Sequence, residues 1–116
     1  MKYLCLVYCE GKEFDAMSPS ELEALNKESM AYDEDLQRRG HFLAAEALQS
    51  VESAVTVRMR RGKVSTTDGP FAETKEQLCG FILIQAQDLN EAIQVASNIP
   101  LAKLGSIEVR PILDLS

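Results

Sequence analysis

The residues of this 116-residue chain best suited to chemistry are carboxylates set among cations and one aromatic ring. Asp68 and Glu73 flank Phe71 in the run Asp-Gly-Pro-Phe-Ala-Glu-Thr-Lys-Glu-Gln-Leu over 68–78, with Lys75 and Glu76 just beyond. Gly69 permits positive φ and Pro70 has no N–H, so this corner stops the preceding strand and stiffens the residues after it. Two readings compete. In one, 68–76 is a connecting loop: Asp68 closes a turn, and Glu73, Lys75 and Glu76 are solvated. In the other, the corner aims Asp68 and Glu73 into a pocket roofed by Phe71, since charges beside an aromatic on a stiff loop are typical of ligand sites. The chemistry would then be proton transfer. Asp68 acts as general acid/base, its pKa raised by the like charge of Glu73 or Glu46, while Arg58 and Lys75 hold an anionic substrate. Glu46 is the lone charge in the apolar stretch 42–48, which fits either an edge position or a pocket acid. Ser29 and Tyr32 interrupt an apolar helical stripe. They are either packed with their hydroxyls bonded locally or line a pocket between helix and sheet.

Other chemistries lack their residues. Cys5, Cys9 and Cys79 are an odd number with no framework spacing, and along an extended strand Cys5 and Cys9 stand ~13 Å apart, too far to bridge. They read as buried, reduced thiols. His41, the only histidine, sits beside a helix-ending glycine and reads as a surface turn residue. No metal-ligand spacing, Gly-rich phosphate loop or nucleophile triad is present, so neither metal nor cofactor is expected. The net charge of −6 and pI near 4.8 disfavour nucleic acid and anionic membranes as partners. No apolar run approaches the ~20 residues that span a bilayer, and the N-terminus enters a strand pattern without a leader signature. A cytoplasmic protein of one domain, 1–116, is the expectation.

Periodicity supplies the strands and helices that carry these residues. Residues 3–8 are apolar on both faces, as in a central strand, and 9–14 read as a charged loop. Ser18-Pro19-Ser20-Glu21 is a capping box with Pro at the first helical position. Leu22, Leu25, Ser29, Tyr32 and Leu36 form the helix's stripe, and Arg38-Arg39-Gly40 closes it. A strand is expected over 42–48. Val55, Val57 and Met59 alternate with Thr56, Arg58 and Arg60, and Arg61-Gly62 turns the chain into a hairpin with 63–66. A second strand apolar on both faces covers 81–86. Asp88 caps a helix with Leu89, Ala92, Ile93 and Ala96 on its stripe, Pro100 stops it, and 107–111 is a last strand that Pro111 places at an edge or end. The order is a ferredoxin-like βαββαβ plan with an inserted β-hairpin, an α+β fold with both helices on one face of the sheet. Two doubly apolar strands then need cover on the other face as well. A second copy supplies it economically, giving a homodimer of the dimeric α/β barrel type.

The segment DGPFAETKEQL…GF resembles the signature of the DGPF-domain proteins, a branch of the YCII-related family of small bacterial α+β proteins. The resemblance runs from the first strand to Glu108-Val109-Arg110-Pro111 and implies the same dimeric architecture. It also implies a genomic setting beside alternative sigma factors. Relatives often carry a His on the first long helix as part of a His/Asp site; this helix has none. Cys79 stands where the motif usually reads Gly. The chain is thus expected to be either a cofactor-independent enzyme of isomerase or lyase type on a small anionic molecule, or a non-catalytic ligand-binding or regulatory accessory protein.

Overall fold

The computed structural model describes residues 1–115. Its elements are β1 (Lys2–Cys9), α1 (Gly11–Asp15), α2 (Pro19–Arg38), β2 (Phe42–Ala47), β3 (Val55–Arg60), β4 (Lys63–Asp68), β5 (Gln77–Gln85), α3 (Leu89–Ser97) and β6 (Gly105–Pro111), with 3-10 turns at Val51–Ser53 and Pro100–Lys103. Four strands form an antiparallel sheet in the order β2-β5-β1-β6, while β3 and β4 form a separate hairpin. Without the hairpin this is the ferredoxin-like α+β order read from the sequence.

Capping sets the helix boundaries. The Ser18 hydroxyl accepts from the Glu21 N–H at 3.2 Å, and the Glu21 carboxylate accepts from the Ser18 N–H at 3.1 Å. Hydrogen bonds from the Ser18 backbone N–H and from its hydroxyl hold the Glu21 carboxyl below its usual range. Gly40, at φ +79°, closes α2 in the left-handed region. Asp88 caps α3 in the same way, accepting from the Glu91 N–H at 2.9 Å.

Alternation along β1 decides the core. Tyr3, Cys5, Val7 and Cys9 are each 3% exposed or less, and Tyr3 and Cys5 join one core with Leu36 of α2 and Ala92, Val95 and Ala96 of α3. Full burial of one Leu- or Ile-sized side chain here stabilises by roughly 1.5–3 kcal/mol. The opposite face presents Leu4 and Leu6 of β1 beside Leu83 and Phe81 of β5, all only half-buried, with no helix over them.

Several expectations need correction. Residues 11–15 coil into α1 instead of staying a loop. β5 begins at Gln77, not at 81, because β1 extends to Cys9 and offers it ladder partners. The extension escapes a periodicity reading because a bulge opposite Val7 and Tyr8 breaks the alternation at Cys79. That bulge also overturns the view that all three cysteines are free thiols: Cys9 and Cys79 are joined in a disulfide. The partners are 70 residues apart in sequence, so their spacing carries no sign of the pairing. Cys5 alone is free, and burial pushes its thiol up to about 11. His41 is not a simple surface residue either. Its Nδ1 lies 2.8 Å from the Gln85 carbonyl, which only accepts, so Nδ1 carries the proton and ties the α2 end to β5.

The hairpin stands apart. Arg61 and Gly62 both have positive φ, 52° and 75°, the two-residue turn that matches strand twist. Every residue of β4 is exposed, and β3 and β4 pack substantially only on each other. The radius of gyration, 16.1 Å, exceeds the ~13 Å expected of a compact chain of this length.

Candidate functional site

The Gly-Pro corner is fixed from below by hairpin groups. The Gly69 N–H donates to the Ala54 carbonyl at 2.7 Å, and the Thr56 hydroxyl donates to the Gly69 carbonyl at 2.9 Å. Gly69 itself has φ +108°, a conformation that needs glycine. Beyond this anchored corner the segment faces water. Asp68, Phe71 and Glu73 are exposed, Phe71 to 82%, and the ring covers only Arg58, whose guanidinium carbon lies 5.8 Å from the ring centre. Among the described residues no cation lies within 4.0 Å of Asp68 or Glu73, so Arg58 forms no ion pair with them within one chain.

Lys75 is placed differently. The segment's end is pinned to β6, where Ser106 Oγ donates to the Glu76 carboxylate at 3.0 Å. This closes one side of an open cavity of about 570 Å³ on the outer sheet face, walled by Tyr8, Glu10, Lys75, Glu76, Ser106 and Glu108. Its lining holds one cation and three carboxylates, of which Glu108 is paired with Arg110.

The second site lies between α2 and the end of β2. A pocket of about 470 Å³ has an apolar wall of Phe14, Leu25, Leu48 and Leu101, with Asn26, Ser29 and Gln77 as polar points and the Cys9–Cys79 disulfide in its lining. It shares Leu48, Val51, Gln77 and Leu78 with a neighbouring pocket of about 420 Å³ that reaches Pro70. On its other side it shares Ser29, Ala47 and Cys79 with a recess of about 150 Å³ lined also by Asp33 and Glu46. Together they form one cleft from Asp33 to the Gly-Pro corner. Close strand approach shapes its floor, because a Cβ on Gly80 would meet the Glu46 carbonyl oxygen at 2.9 Å. Burial raises the Asp33 carboxyl above its ordinary value, so it holds a proton more readily than a surface Asp. The cleft walls carry no Lys or Arg.

Of the residues singled out from sequence, the structure brings Ser29 to this recess; Glu46 borders it, but its ladder partner is Phe81, so its carboxylate lies on the outer sheet face. Tyr32, on the same stripe, is committed elsewhere: its hydroxyl donates to the Val95 carbonyl at 2.6 Å and joins α2 to α3. Burial raises that phenol's pKa and keeps it a donor. Asp33 was missed. Its one signal is position, four residues beyond Ser29 and hence on the same helix face.

The YCII-related domain model matches residues 1–116. An uncharacterized protein of Rhizobium meliloti (strain 1021) is 36% identical over 114 residues, which is 97% of this chain and 92% of that protein.

Proposed function

The chain belongs to the YCII-related domain family, and we propose that it binds a small organic molecule in the cleft between α2 and β2 and moves a proton on it without a cofactor. The observation that carries this reading is Asp33, its carboxyl raised in pKa by burial, beside Ser29 in one recess. One carboxyl group can take a proton from one position of a substrate and return it at another, as in an isomerisation. Asp33 moves the proton and Ser29 orients the ligand, while Glu46 pairs with Phe81 in the ladder and carries its carboxylate on the outer sheet face. Asp68, Phe71 and Glu73 lie exposed outside the cleft, Arg58 stacks on Phe71, and Lys75 lines the outer-face cavity. The cleft itself supplies no cation for an anionic substrate.

We further propose a homodimer packed through the outer sheet faces, which covers Leu4, Leu6, Phe81 and Leu83. The working compartment is taken as the cytoplasm.

A second reading, a non-catalytic ligand-binding or regulatory accessory protein linked to an alternative sigma factor, draws on the exposure of Asp68 and Glu73 away from the cleft. Screening a panel of keto acids, hydroxy acids and diphenols by thermal shift, then by turnover, separates the two. Activity that Asp33→Asn abolishes supports the enzyme. Binding with no turnover, or a stable complex with a sigma factor in pull-down, supports the accessory role.

A further inference from the structure

The β3–β4 hairpin has the surface of a buried element and the position of an exposed one. Val55, Val57 and Met59 are 57%, 63% and 56% exposed, and Val64, opposite Met59 in the ladder, is 61% exposed. All four point to the same side, because strand residues alternate and directly paired residues share a face. The other side and the tip are cationic: Arg58, Arg60, Arg61 and Lys63 are four of the chain's twelve Lys and Arg residues. An isolated two-stranded hairpin is marginal in water, so something should cover its apolar side.

The same chain offers a matching surface with which its own hairpin makes no substantial contact. The outer face of the four-stranded sheet is apolar at Leu4, Leu6, Phe81 and Leu83, and at one end it opens into the cavity bordered by Glu10, Glu76 and Glu108 with Lys75 beside them; Glu108 is paired with Arg110, whereas Glu10 and Glu76 have no ion pair among the described residues. Apolar stripe and cationic tip on one element thus match apolar face and acidic border on the other. Complementarity of both kinds within a single sequence points to a second copy.

We propose that the hairpins are exchanged arms. In the dimer each arm reaches across to the second copy, adds Val55, Val57, Met59 and Val64 to the apolar interface, and sets Arg60, Arg61 and Lys63 against the acidic border of the second copy's outer-face cavity. The arm rests on the dimer reading but goes beyond it, since two sheets stacked face to face need no hairpin.

The test separates the two. Self-association of the wild-type chain is measured by analytical ultracentrifugation beside Val57→Asp/Met59→Asp and Arg60→Glu/Arg61→Glu. Neither pair touches the core of its own subunit, so circular dichroism should be unchanged. The apolar pair should weaken the dimer by about tenfold or more. The charge pair should weaken it and remove most of its salt sensitivity. In a mixture of 14N- and 15N-labelled protein, a zero-length carbodiimide cross-link should join Lys63 to Glu10, Glu76 or Glu108 in peptides of mixed isotope. A wild-type monomer overturns dimer and arm together. A dimer that keeps its affinity in both variants, with no mixed-isotope link from Lys63, overturns the arm and leaves the sheet-to-sheet dimer standing.

Discussion

Strands β1 and β3 use similar apolar residues and end in opposite surroundings. In β1 the alternating Tyr3, Cys5, Val7 and Cys9 are almost wholly buried; in β3 the alternating Val55, Val57 and Met59 are more than half exposed. The difference lies in neighbours. β1 sits between β5 and β6 under two helices, whereas β3 has only β4. Alternation in a sequence specifies which side of a strand needs cover and says nothing of who provides it.

Mutations on the two strands' surroundings put that contrast at risk. Leu36→Ala or Ile84→Ala should cost about 2–5 kcal/mol in urea melts, because both side chains are fully buried and the cavity cannot collapse. The loss should be the same at every protein concentration. Val57→Ala should cost much less, and its effect should grow with protein concentration as dimer forms. A Val57→Ala loss as large and as concentration-independent as that of Ile84→Ala would mean the hairpin packs within its own chain.

A backbone contact brings β6 into the same contrast. Gly105→Ala would place a Cβ 2.0 Å from the Tyr8 carbonyl oxygen, so β6 must shift from β1. The expected loss is about 1–3 kcal/mol or more. Gly62→Ala, at the hairpin turn, meets nothing within 4 Å and is strained only by its φ of +75°, at a cost of roughly 1–2 kcal/mol. Equal melts for Gly105→Ala and wild type would contradict the β1–β6 register.

Much of this fold is legible because its signals are local. The Ser18 box, the Asp88 cap, the Arg61-Gly62 turn and the doubly apolar run that marks β1 as a central strand each depend on residues within a few positions, and all four stand in the structure. What escaped depends on distant partners. The Cys79 bulge exists because of its register with Val7 and Tyr8, the disulfide because that bulge meets Cys9, and the proton at His41 Nδ1 because Gln85 lies opposite. The site divides the same way. Ser29 was visible as a polar break in a stripe and Glu46 as a charge in an apolar run. Asp33 went unremarked, and its partly buried place beside Ser29 is what distinguishes it; Glu46 falls on the opposite face of the sheet.

The smallest expected effect on stability belongs to Asp33. Its pKa is raised in the folded state, so ionisation there opposes folding. The protonated group's contribution is complete below the ordinary Asp value near 3.8 and is lost as pH rises through the higher folded value. Asp33→Asn should therefore melt slightly above wild type at neutral pH, with the gap closing in acid. The margin should be small, since the group is only partly buried. A variant that melts lower at neutral pH and equal in acid would assign Asp33 an ion-paired, purely structural role.

An amide NMR titration of the 15N-labelled protein with three small probes, pyruvate, catechol and ethanolamine, decides between the cleft and the exposed segment. Any probe that binds should shift Ser29, Asp33, Glu46, Ala47 and Gly80 together, and Asp33→Asn should weaken that binding while Asp68→Asn leaves it unchanged. Shifts confined to 68–76, lost in Asp68→Asn and untouched by Asp33→Asn, would contradict a cleft site and move it to the exposed segment.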